Sequence, residues 1–407
     1  MKNLIVGQSG GPTAVINGSL YGVVKEAVAH KDEIGKVYGM VNGIEGFLKE
    51  TLFDLGEFAK TEEFELLKTT PSSFLSSCRF KLPDSLEDEV YARIFSLFEK
   101  YEIGYFFYIG GNDSMDTVSK LSRYAVNNNI EGITFIGVPK TVDNDLVITD
   151  HTPGFGSAAK FVATEVREIS VDASVYDNKK TLTIVEVMGR HAGWLTAASA
   201  LARNEHLNNP VLIYLPEKNF SIDKFVADVN KAFEKQNTVV ACVSEGIHDE
   251  NGKLICEYGG EVEADSFGHK KLAGTAKVLE NLVADKFSVK TRSVELSVMQ
   301  RASSILLSNT DLSEAICAGE TGVKKALEGV TGMMIGFVRS DDPEYHIDFV
   351  PMDVNKICNE EKPVPAEWIT EDENDVTDDV LKYMLPIIQG DVNVPKENGL
   401  PRFAFRK

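Results

Sequence analysis

The strongest constraint on this chain is a junction that occurs twice: a short apolar run, a glycine pair, then a helical pattern. Residues 3–6 read as a strand that runs into Gly7-Gln-Ser-Gly-Gly-Pro12. Ala14, Val15, Leu20, Val23, Val24, Ala27 and Val28 then fall on one face of a helix beginning near Thr13. Residues 105–109 read as a second strand, ending in Gly110-Gly-Asn-Asp-Ser-Met115 ahead of a helix through Val118 and Leu121. Such a junction aims backbone N–H groups and the positive end of a helix dipole at an anion. One glycine turn alone equally fits a plain tight turn; two in one domain are far more specific. The first is not G-x-G-x-x-G, so a dinucleotide fingerprint is not matched.

The same alternation continues along the chain. Residues 133–138, 181–187, 211–215 and 238–243 read as further strands, and helices are expected after Pro153-Gly-Phe-Gly156 and around 223–233, 271–285 and 313–327. Strand–helix alternation of this kind predicts an α/β protein of two doubly wound, Rossmann-like domains facing each other. The expected boundary divides 1–154, joined by about 300–340, from 155–299, joined by about 341–407. Ligands in such sheets sit beyond the carboxyl ends of the strands.

One strand end carries the densest chemistry: Gly137-Val-Pro-Lys-Thr-Val-Asp-Asn-Asp145. If this loop is locally extended, Thr141, Asp143 and Asp145 point to one side, and Lys140 and Asn144 to the other. An aspartate of ordinary pKa, about 3.9, is ionised at neutral pH and can take a proton or hold a metal. Alone, the stretch fits a surface turn as well, since Asp and Asn favour turns. Arg79, after a Ser-rich loop, and Arg190, at a strand end, add guanidinium forks able to bind two phosphate oxygens at once. Lys290-Thr-Arg292 and Gln300-Arg301 supply cations between helices.

Composition narrows the partners. A net charge of −20 leaves no basic block for nucleic acid or an anionic membrane, whereas a small anionic substrate needs only a few focused cations. The five cysteines never form C-x-x-C and suit free thiols in a reducing cytosol. No H-x-x-x-H spacing suggests zinc, and no signal-peptide pattern or 18-residue apolar run is present, so a soluble, cytoplasmic protein is expected. The acidic residues Glu371, Asp372, Glu373, Asp375, Asp378 and Asp379 read as a solvated face or a helix start.

Taken in order, Gly10-Gly11, Arg79, Gly110-Gly-Asn-Asp-Ser114, Pro139-Lys-Thr-Val-Asp-Asn-Asp145, Met188-Gly-Arg190, Ser244-Glu-Gly246 and Gln300-Arg301 resemble the 6-phosphofructokinase family, across residues 1 to about 335. The resemblance implies two α/β domains with the active site in the cleft between them. It implies magnesium-dependent, reversible phosphoryl transfer to the 1-hydroxyl of fructose 6-phosphate. Asp143 would take the hydroxyl proton, with Arg79, Arg190, Lys140 and Asp113 also in the catalytic set. Gly11, Thr141, Val142, Met188, Gly189, Glu245, Arg292 and Arg301 would bind substrates, and Asn112 and Asp145 would lie at the metal. Members that use ATP carry glycines where Asp113 and Lys140 stand here, and both replacements resemble the pyrophosphate-dependent branch. A carboxylate about 4 Å from an α-phosphate costs about 4 kcal/mol at an effective dielectric near 20, roughly a thousandfold against a nucleotide. Lys140 would instead neutralise pyrophosphate. Asn112 departs from the family's usual Asp, and Thr181 and Val298 replace an Arg and a His that bind phosphate, leaving Arg292, Lys290 and Lys179 as candidates for the 6-phosphate. An ATP-dependent enzyme and a non-catalytic subunit of the same fold are the alternatives, and a homodimer is expected.

Overall fold

The computed structural model describes residues 1–175, 178–259, 274–284, 286–287 and 289–406. Its main strands are β1 (Lys2–Gln8), β2 (Ile34–Met40), β3 (Leu52–Asp54), β4 (Ile103–Gly110), β5 (Thr134–Pro139), β6 (Thr181–Val187), β7 (Leu212–Tyr214), β8 (Thr238–Ser244), β9 (Lys290–Glu295), β10 (Met333–Arg339) and β11 (Ile347–Asp353). One sheet has the order β11-β10-β5-β4-β1-β2-β3, parallel except for its two edge strands. The other, β7-β8-β6-β9, is parallel throughout.

The strands read as continuous apolar runs because both faces of each sheet are covered. In β1, Leu4 and Val6 pack under the helices Ile16–Ala29 and Asn309–Leu327, while Ile5 packs under Glu89–Lys100 and Asn112–Asn127. In the second sheet, Val185 and Val240 face the helix Phe155–Ala173, while Ile184 and Val239 face Ile222–Phe233 and Thr275–Val283. Period two in each strand thus feeds two cores. The helix expected over 271–285 runs Thr275–Val283, with 271–273 and 285 outside the described residues. Lys290-Thr-Arg292 belongs to an edge strand rather than to a connection between helices.

After the second sheet the chain returns. Both β10 and β11 join the first sheet, and Val364, Ile369, Val376, Val380 and Met384 then enter the core of the second. The acidic cluster is more than a solvated face. Asp375 accepts both arms of Arg203, at 3.1 and 2.7 Å, and Asp378 and Asp379 open the helix Asp378–Met384. All five cysteines are unpaired, and no described helix is long and apolar enough to cross a membrane.

In each sheet one strand has its successors on opposite sides, which opens a crevice at the carboxyl ends. In the first sheet that point lies between β1 and β4, whose ends carry the two glycine turns. In the second it lies at β6, flanked by β8 and β9.

Candidate active site

The β1 turn is built to let cations approach the backbone. Gly10 has φ +76°, a conformation that favours glycine, and the position a Cβ would take lies 3.4 Å from Lys140 Nζ. A Cβ on Gly11 would stand 3.0 Å from Arg301 Nη1. Ser77 Oγ donates to the Gly10 carbonyl at 2.7 Å, and the Gly10 N–H donates to the Cys78 carbonyl at 3.4 Å. These bonds set the loop bearing Arg79 against the same turn. At the end of β4, Gly111 caps the helix Asn112–Asn127 without any side-chain cap bond, so no side chain competes for its first N–H groups. Asn112 Nδ2 donates to the Glu360 carbonyl at 3.0 Å, and its Oδ1 is buried without a partner. Asp113 is exposed in the first helical turn.

The β5 loop departs from extended alternation. Lys140 N–H bonds the Gly110 carbonyl at 2.9 Å, Thr141 pairs with Gly154, and Asn144 adopts φ +54°. This bend puts Lys140 and the two carboxylates together, while Asn144 turns away and donates to Tyr383 OH at 2.9 Å. Lys140 is only 4% exposed. Burial pulls its pKa down to about 8, against the opposing pull of Asp143, Asp145 and Asp113. Burial raises the pKa of Asp143, opposed by Lys140, Arg301 and Arg190. Burial and the Asp143 charge together raise that of Asp145. Val142 packs into the core of the second sheet, so the loop spans both halves of the fold.

The second sheet contributes the facing wall. Met188 N–H donates to Gln300 Oε1 at 3.2 Å, and Gly189 N–H to Glu245 Oε1 at 3.4 Å. A Cβ on Gly246 would lie 1.9 Å from the Arg190 carbonyl, so the β6 and β8 turns meet only because residue 246 is glycine. Burial lifts Glu245 to about 7, with Asp143 adding to it and Arg190 opposing. Burial lowers the pKa of Arg301, which also feels Asp143, Arg79 and Glu245. Asp143, Lys140, Arg190, Arg301, Glu245 and Arg79 therefore share one electrostatic site. Arg292 stands apart from these contacts: on the edge strand β9, it reaches Asp172 at 3.5 Å.

Sequence reading missed the segment that closes the back of the site. Lys362 N–H donates to the Asp145 carbonyl at 2.8 Å, and its ammonium donates to the carbonyls of Asp150 (2.7 Å) and Thr149 (3.1 Å). Glu361 raises the pKa of both Asp143 and Asp145, although in each burial is the larger cause. Behind this segment, fully buried His151 bridges Asp150 and Glu314, at 2.7 Å each. Tyr345 OH donates to Glu314 at 2.6 Å and Arg339 Nη2 to Asp150 at 2.8 Å. Burial alone would lower the His151 pKa, but Glu314 and Asp150 outweigh it and raise it to about 9.

The sign of the linkage follows from that raised value. The stability contributed by His151 is full below its unfolded pKa of about 6.5 and is lost as pH rises through its folded value. His151→Gln is expected to cost about 3 kcal/mol, because Glu314 loses its buried cation while Asp150 keeps only Arg339. It is also expected to flatten the fall in Tm between about pH 7 and 9. Calorimetry across that range checks both, and an unchanged slope would mean the folded imidazole is neutral.

Comparison with known proteins agrees with this architecture. The Phosphofructokinase family profile matches residues 3–304. A pyrophosphate–fructose 6-phosphate 1-phosphotransferase from Methylococcus capsulatus is 38% identical over 405 residues, covering 99% of this chain and 95% of the relative. One from Rhodospirillum rubrum is 40% identical over 390 residues, covering 95% and 94%. The crystal structure of a pyrophosphate-dependent phosphofructokinase from Nitrosospira multiformis matches with a TM-score of 0.89 and 36% identity, covering 99% of this chain and 95% of that one. A family profile over most of the chain, with relatives of 38–40% identity along nearly its whole length, shows that the chain belongs to the phosphofructokinase family.

Proposed function

We propose that the protein transfers the terminal phosphoryl group of pyrophosphate to the 1-hydroxyl of fructose 6-phosphate, giving fructose 1,6-bisphosphate and phosphate. The hydroxyl oxygen attacks the terminal phosphorus, the bridging P–O bond breaks, and Asp143 accepts the hydroxyl proton. Arg79, Arg190 and Lys140 offset the charge of the group in transit, which is the main demand of phosphoryl transfer. Met188, Gly189, Glu245 and Arg301 line the sugar side, with Thr141 and Val142 on the loop between and Gly11 at the donor turn. The bond cleaved and the bond formed differ modestly in free energy, so the reaction runs in both directions.

Magnesium fits the donor set. It prefers oxygen ligands and is commonly held by one or two carboxylates together with substrate phosphates. Asp145 and the unpartnered Oδ1 of Asn112 are the residues that would hold it. Among the described residues no cluster of three His, Cys, Asp or Glu forms an all-protein cage, consistent with substrate oxygens completing the shell. Bound there, the ion would neutralise charge on the pyrophosphate.

The observation that carries the donor assignment is Lys140: a buried ammonium laid over the Gly10 turn, where ATP-using members of the family have glycine. Turnover of fructose 6-phosphate with magnesium and pyrophosphate, compared with ATP, tests it. Activity with ATP alone would reverse the donor assignment, and activity with neither would leave a binding subunit. We place the enzyme in the cytoplasm as a homodimer; light scattering that gave a stable tetramer would overturn the second part.

A further inference from the structure

The loop that carries Arg79 is shaped by the far end of the chain. Two of its non-glycine residues, Ser72 and Ser76, have positive φ, +70° and +61°, a conformation disfavoured for L-residues. Up to Leu75 the loop is well anchored from below: Phe74 N–H donates to Asn17 Oδ1 and Leu75 N–H to Gln8 Oε1, both at 2.9 Å. Beyond Leu75 the turn is closed by the Ser76 N–H donating to the Ser73 carbonyl at 2.9 Å, and Asn42 Nδ2 donates to the Ser77 carbonyl at 3.3 Å. A cavity of about 510 Å³ lies beside the loop, lined by Val41, Phe53, Phe74 and the chain end Ala404-Phe-Arg406. Across it, Ala404 N–H donates to Thr70 Oγ1 at 2.9 Å, and Arg406 Nη2 donates to Ser76 Oγ at 2.7 Å. Ser77 and Cys78, the next two residues, make the bonds to Gly10 described above, and Arg79 follows.

We propose that Arg406 is a positioning residue for phosphoryl transfer: by holding Ser76 in its left-handed turn, it fixes the Ser77–Cys78 contact with Gly10 and the placement of Arg79. Ser76 is half-exposed, so packing holds its side chain only in part, and the Arg406 bond to its hydroxyl adds to the backbone bond that closes the turn. The inference rests on the role proposed for Arg79. The sugar phosphate, bound mainly by the second sheet, is untouched by the latch.

Arg406→Ala is expected to lower kcat about tenfold while leaving KM for fructose 6-phosphate within twofold. Arg406→Lys is expected to recover part of the loss. Ser76→Ala removes the same bond from the other side, so the double variant should be no worse than either single variant. Amide hydrogen exchange at residues 76–79 should quicken in Arg406→Ala while exchange in β4 stays unchanged. That readout needs no turnover, so it decides the latch even if the wild-type protein uses neither donor. Unchanged exchange at 76–79 overturns the proposal. So does an additive double variant, or a loss shared equally by kcat and sugar KM.

Discussion

Asp143→Asn is expected to lower turnover with pyrophosphate by a factor of about a hundred to ten thousand, the usual range for a lost general base. The side chain keeps its size, and Lys140, Arg301 and Arg190 around it keep their positions, so the fold and KM for fructose 6-phosphate should change little. The signature is a fall in kcat and kcat/KM together, which marks an interaction needed only in the transition state. Single-turnover measurement separates this from slow product release. A variant that keeps near-full single-turnover rate would require another proton acceptor, with Glu245, which also shares the site's charges, the first to test.

Lys140→Gly is expected to reduce kcat/KM for pyrophosphate about a hundredfold, because the lost ammonium is buried and faces the donor turn. Asp113 is exposed, so water and salt screen its repulsion, and we propose that buried Lys140 carries the larger share of donor choice. Asp113→Gly alone should therefore admit ATP only weakly, and Lys140→Gly alone should damage pyrophosphate use without granting ATP use. Both changes together should shift the ATP-to-pyrophosphate ratio further than either alone. Measuring kcat/KM for both donors in the four proteins decides this. An unchanged ratio in the double variant would remove Lys140 and Asp113 from donor selection while leaving the family assignment intact.

What could be read locally was read correctly wherever one stretch of chain carried its own cause. Apolar runs such as residues 105–109 and 238–243 suit strands buried on both faces, as they prove to be, and the paired glycines after residue 109 mark close backbone approach. Those two facts suffice for the α/β alternation. Side-chain direction was another matter. Alternation along an extended loop put Lys140 opposite Asp143, but the chain bends at Val142 and Asp143, and the left-handed Asn144 that follows is tied to Tyr383 more than two hundred residues away. Lys362, Glu361 and the His151 bridge carry no recognisable local pattern, because the first two reach the β5 loop by the return of the chain after β11 and His151 meets Glu314 on the distant helix Asn309–Leu327. Arg292, on the edge strand β9, reaches Asp172 at 3.5 Å, a contact that its local run does not announce. The sequence by itself determined the strands, the glycine turns and the residue types available to phosphate, since these follow from local apolarity and backbone freedom. Only the tertiary structure decided which charges share a site, because burial and charge proximity depend on contacts between segments distant in the chain.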